Sequence, residues 1–101
     1  MDIDNLLMME HFQGHLMSLE TRLQLTERRL GRLHQRRYEL SHWNESWLRE
    51  AAIDSYDAQI RATLEDHDAV KKDMFEAAQE YQDLCNGLPN RWLDLARSKG
   101  I

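Results

Sequence analysis

The sequence predicts an all-α protein: a long antiparallel helical hairpin, coiled-coil-like, with a short C-terminal third helix, assembling as a dimer into a four-helix bundle. Three observations carry this reading. Apolar residues recur on a 3.5-residue period over two long stretches, which is the signature of helices packed along a seam. One proline and four glycines in 101 residues leave little to interrupt a helix. Charged residues make up 31% of the chain and are locally segregated, with six Arg and one Glu over residues 22–37 and seven acids and two Lys over 65–83.

The first repeat places Met9, Leu16, Leu23, Leu30, Arg37, Asn44 and Ala51 at heptad position a, and Phe12, Leu19, Thr26, Leu33, Leu40 and Trp47 at d. Gly14 and Gly31 fall on the outward side, so helix 1 is expected over about residues 3–48. A second repeat runs through Tyr56 (d), Ile60 (a), Thr63 (d), His67 (a), Val70 (d), Met74 (a), Ala77 (d), Tyr81 (a) and Leu84 (d). Trp47 and Tyr56 are nine residues apart although both are d, so the phase breaks between them. A turn is therefore expected within "EAAIDSYDAQ", with Asp54 or Ser55 capping helix 2 over about 55–86. "CNGLPN" ends that helix, with Gly87 as the C-cap residue and Pro89 blocking continuation. Helix 3 is expected over about 90–98, opened by Asn90 and anchored by Trp92, Leu93, Leu95 and Ala96. All 101 residues form one domain in this reading.

The run "TERRLGRLHQRR" puts five arginines into twelve residues of a chain whose net charge is −5. With the turn near residue 50, g positions face g positions across the antiparallel hairpin. Arg22 then meets Glu80, Arg29 meets Asp73 and Arg36 meets Asp66, three pairs of opposite charge. Exposed pairs contribute only about 0–1 kcal/mol each. Their expected role is to choose orientation and register. Arg28 and Arg32, at f and c, lie outside that seam and are the candidate contacts for an anionic partner such as nucleic acid. Arg37, Asn44 and His67 put polar groups at a positions, where they select register or mark a place where the helices splay.

Little in the chain points to catalysis, and no enzyme activity is expected. Zinc requires four ligands, or three and a water, and the i, i+4 pair His11 and His15 supplies two. Glu39 and His42 form a single Glu-x-x-His, where a di-metal bundle needs two such motifs and two further carboxylates. There is no Gly-rich phosphate loop and no nucleophile elbow, so no cofactor is expected. Cys85 is the sole cysteine, which excludes an intrachain disulfide and makes a reducing, cytoplasmic setting the default expectation. "MDIDNLLMMEHF" has no basic region or small-residue cleavage site, and no apolar run reaches membrane-spanning length.

"TLEDHDAVKKDM", residues 63–74, resembles the second helix of a spectrin repeat, and a Trp pair such as Trp43 and Trp47 also occurs in such repeats. That family implies three helices of similar length; here the third is short and the resemblance is confined to this segment.

Apolar residues exceed what one seam can cover: Leu6, Leu7, Met8, Met17, Leu25, Trp43, Leu48, Leu64, Phe75, Leu93 and Leu95 lie beyond it. Helix 3 is expected to fold back near Phe12–Met17. The remainder implies self-association or a helical partner, through Leu6, Leu7, Met8, Met9, Phe12, Met17, Trp43, Trp47, Leu48 and Trp92. The function expected is a protein–protein adaptor or assembly subunit, acting as a homodimer. Two alternatives stay open: a nucleic-acid-associated regulator using the Arg-rich face, and a small helical chaperone with a Met/Leu-rich docking segment.

Overall fold

The computed structural model describes residues 3–42 and 47–98. They form α1 (Ile3–Ser41), α2 (Trp47–Leu84) and α3 (Arg91–Ser98), with no strand among the described residues. The two long helices pack along their lengths as an antiparallel hairpin about 66 Å long. Burial follows the heptads. Leu16, Leu19, Leu23, Leu33 and Leu40 are buried on α1, and Ile60, Thr63, His67, Val70, Met74, Ala77 and Tyr81 on α2. Each helix is amphipathic over one narrow stripe, and closing those stripes on each other removes both from water.

The bend lies earlier than the spacing predicts. α1 ends at Ser41 and α2 already begins at Trp47, so "EAAIDSYDAQ" is helical and Asp54 and Ser55 sit inside α2 rather than capping it. Trp47, expected as the last d residue of helix 1, opens α2 and is 75% exposed. Asn44 lies outside the described residues. The physical reason is local: Ala51 and Ala52 are strong helix formers, and the heptad of α2 extends back through Ile53 at a and Arg49 at d, both partly buried. The nine-residue phase break therefore separates two helices at the N-terminal side of Trp47.

α2 ends in a Schellman motif. Gly87 N–H donates to Gln82 O at 2.8 Å and Asn86 N–H donates to Asp83 O at 3.3 Å. Asn86, at φ 58°, takes the left-handed position expected of Gly87, and Gly87 follows at φ 82°. Asparagine tolerates that conformation, so the helix stops one residue sooner. At α3, Asn90 is the cap as expected: its Oδ1 accepts from Leu93 N–H at 2.9 Å. Its Nδ2 also donates to Ala78 O on α2 at 3.1 Å, which anchors the start of α3 to the hairpin.

The main core lies where all three helices meet. Leu16, Leu19 and Leu23 pack with Val70, Met74, Ala77, Ala78 and Tyr81, and with Trp92, Leu93 and Ala96 of α3. Met74 is fully buried at its centre. Met74→Ala is expected to destabilise the chain by about 2–5 kcal/mol, from lost transfer energy and a cavity. Urea denaturation followed by far-UV circular dichroism measures it.

Candidate functional site

α3 is held to one broad side of the hairpin by polar contacts around a single carboxylate. Glu20 on α1 accepts from Arg91 Nη1 at 2.7 Å and from Trp92 Nε1 at 3.0 Å. The Trp92 ring stands edge-to-face on Tyr81 at 5.8 Å, and the Arg91 guanidinium lies 4.6 Å from the Trp92 ring centre. Arg97 lies 5.8 Å over Phe75. Glu20 and Ala78 occupy e positions of their heptads, so α3 covers the e side of both helices. It docks close to the expected Phe12–Met17 region, where Leu16 joins the same core with Phe12 against it, and reaches on to Glu20; Met17 itself remains exposed.

The expected seam pairs do not form. Neither Arg22–Glu80, Arg29–Asp73 nor Arg36–Asp66 is an ion pair. Three contacts between α1 and α2 give the true register: Gln13 Nε2 donates to Tyr81 Oη at 2.8 Å, Glu27 lies 3.6 Å from His67, and Arg37 Nε donates to Asp57 at 2.5 Å. In each contact the two residue numbers total 94, where each expected pair totals 102. The early bend explains the error of about one heptad: each residue by which a bend moves back displaces the partner by two. Charges at g still face each other, but one heptad along: Arg22 sits level with Asp73, and Arg29 with Asp66.

Most arginines of this stretch are consequently left without an ion pair, although Asp73 and Asp66 lie on the same edge as Arg22 and Arg29. Arg22, Arg28, Arg29, Arg32 and Arg36 are exposed and make no ion pair among the described residues. Arg28, Arg32 and Arg36 line a shallow surface depression with Gly31, Gln35 and Glu39. Arg37 does pair: it leaves the seam for the rim and meets Asp57, which lowers the carboxyl's pKa and raises that of the guanidinium. His67 is buried in the seam, with Nδ1 lacking a hydrogen-bond partner.

A second groove lies toward the free end of the hairpin, on the side away from α3. His11, Phe12, His15, Asp73, Glu76, Ala77 and Glu80 line about 390 Å³ of it, and Met8, Phe12, Glu80, Asp83 and Leu84 a further 300 Å³. His11 and His15 thus share a cleft with three carboxylates that sequence spacing did not bring to them. No three metal-ligating groups converge there or elsewhere among the described residues. Glu39 accepts from Gln35 and His42 stacks edge-on to Tyr38, so the Glu-x-x-His pair is occupied locally. Cys85 is a free, half-buried thiol at the edge of the core.

The residues expected to bind a partner divide. Leu6, Leu7, Met8, Met17, Trp47 and Leu48 are exposed. Met9 and Phe12 are half-buried against the core, and Trp92 is spent inside it, docking α3. Trp43 lies outside the described residues. Sequence reading missed Glu20: as an e-position acid it looks like any solvated charge, and only the fold-back of α3 gives it partners. No helix among the described residues is long and apolar enough to cross a membrane.

Two expected outcomes follow from these contacts. The Arg91 hydrogen bond holds the Glu20 carboxyl below the usual carboxylate range, burial acts against it, and the Trp92 indole assists. The stabilisation is thus present above the unfolded-state pKa of about 4.3 and lost as pH falls through the lower folded value. Acid should release α3, seen as a shift of the Trp92 indole N–H resonance, and Glu20→Gln should abolish that step. His67→Leu should stabilise the chain by about 1 kcal/mol in thermal unfolding, because it removes a buried unsatisfied nitrogen from an apolar seam.

Comparison of the chain with protein-family models, with curated proteins and with solved structures gives no match.

Proposed function

We propose that this chain is a non-enzymatic assembly subunit that acts through helix-packing surfaces, in the first place as a homodimer. The observation that carries this reading is the one-sided cover of the hairpin. α3 packs on the e side of α1 and α2, while no other helix of the described residues covers the opposite side or the free end. Ile3, Leu7 and Met8 are exposed at that free end, and Leu88 joins them from the loop after α2. Apolar side chains gathered at one end of a narrow hairpin are a surface for another protein. The Met/Leu composition of the α1 start suits such a surface, because methionine adapts to the shape it meets.

One observation favours a second reading. Five exposed arginines without ion-pair partners within fifteen residues of α1 are an electrostatic footprint for a polyanion, which supports a nucleic-acid-associated role centred on Arg28 and Arg32.

Light scattering after size exclusion tests the first reading. A mass near twice 12.1 kDa, held over a wide concentration range, is the expected result. A monomer throughout, with steeply salt-dependent binding to a single-stranded oligonucleotide, would replace it with the second.

A further inference from the structure

The side of the hairpin opposite α3 is built from the g and c positions of both helices, and its charges are divided along its length. Toward the bend it presents Arg29, Arg32 and Arg36 of α1, with Glu39 and, across the seam, Asp66, Gln59 and Ala62 of α2. This half is thus basic by a single charge, while Arg22 offsets one of the four carboxylates of the other half. Toward the free end it presents Asp73, Glu76, Glu80 and Asp83 of α2, which rim the groove floored by Phe12, Ala77 and Leu84. All of these charged residues are exposed, and none makes an ion pair within the chain among the described residues. Between the two halves lie the small Ala69 and, level with it, the exposed Leu25, while Ser18 lies across from Glu76.

We propose that this face is an isologous docking surface for a second copy of the same chain, related by a two-fold axis perpendicular to the hairpin. The inference rests on the reading of the chain as a self-assembling subunit, and it names the face, the orientation and the residues. Charge complementarity selects the occupant. Rotation by 180° about that axis lays the basic half of one copy on the acidic half of the other, and the same operation repeats the contact at the other end. A copy in the parallel orientation would set arginine on arginine and carboxylate on carboxylate. A polyanion drawn to Arg29, Arg32 and Arg36 would meet the carboxylates of Asp73 to Asp83 within the same face. The area is sufficient: a face 66 Å long and two helices wide offers on the order of 1,000 Å² per partner, against about 800 Å² in a standard stable interface.

Two charge-reversed chains test this. One carries Arg29→Glu, Arg32→Glu and Arg36→Glu, so both halves of its face are acidic. The other carries Asp73→Arg, Glu76→Arg and Glu80→Arg, so both halves are basic. In sedimentation equilibrium the natural chain should dimerise with an affinity that falls at least tenfold from low to high salt. Each variant alone should weaken on the order of 100-fold or become monomeric, and an equimolar mixture should recover a heterodimer. Circular dichroism establishes that the variants remain helical. If a triple variant loses helicity, Arg32→Glu and Glu76→Arg, two exposed c positions, carry the same mixing test singly. Variants that stay dimeric while the natural chain is dimeric would overturn this face and leave the self-assembly reading standing. A mixture that fails to associate would overturn it equally. A natural chain that is monomeric at every concentration and salt would end both.

Discussion

The register between α1 and α2 is the constraint on which the rest of the structure depends. Both helices carry a narrow apolar stripe, and many antiparallel alignments one heptad apart would close those stripes almost equally well. The bend before Trp47 picks one of them, and Gln13–Tyr81, Glu27–His67 and Arg37–Asp57 all report the same choice. With that register, Leu16, Leu19 and Leu23 meet Val70, Met74 and Tyr81 at one end of the hairpin, away from the bend. The widest part of the core forms where α3 can reach it.

α3 is too short to be stable alone, since isolated helices of fewer than about a dozen residues are marginal in water. Its order comes from its cap and its contacts. Asn90 satisfies an N–H of α3 and reaches Ala78 of α2, while Glu20 of α1 takes two charge-assisted or indole donors at once. Trp92, Leu93 and Ala96 then complete a core that two helices could not enclose. The same placement makes the molecule asymmetric. One side of the hairpin is closed by α3, and the other keeps its grooves and its charges.

Those charges matter more for partner choice than for stability. Exposed ion pairs contribute at most about 1 kcal/mol, so leaving the arginines of α1 unpaired costs the fold little. It leaves a basic half and an acidic half on a single face, with complementary fields that can steer a partner and fix its direction. The polar groups placed in the seam act differently. Arg37 escapes to the rim and pairs, whereas His67 stays buried with an unsatisfied nitrogen, a local cost within an otherwise apolar contact.

The sequence by itself determined the helical class, the hairpin, the identity of nearly every seam residue, the cap at Asn90 and the end of α2 to within two residues. These follow from periodicity and local backbone chemistry, which act over a few residues and are written into short windows of the chain. The tertiary structure alone decided which carboxylates lie beside which cations, that Glu20 would hold α3, that Trp92 would be core rather than docking surface, and that His11 and His15 would share a cleft with Asp73, Glu76 and Glu80. Each of these depends on the register, and the register depends on where the bend falls. Heptad spacing marks that position only weakly, through Ile53 and Arg49 at the start of α2, because an alignment one heptad away presents nearly the same pattern of apolar residues.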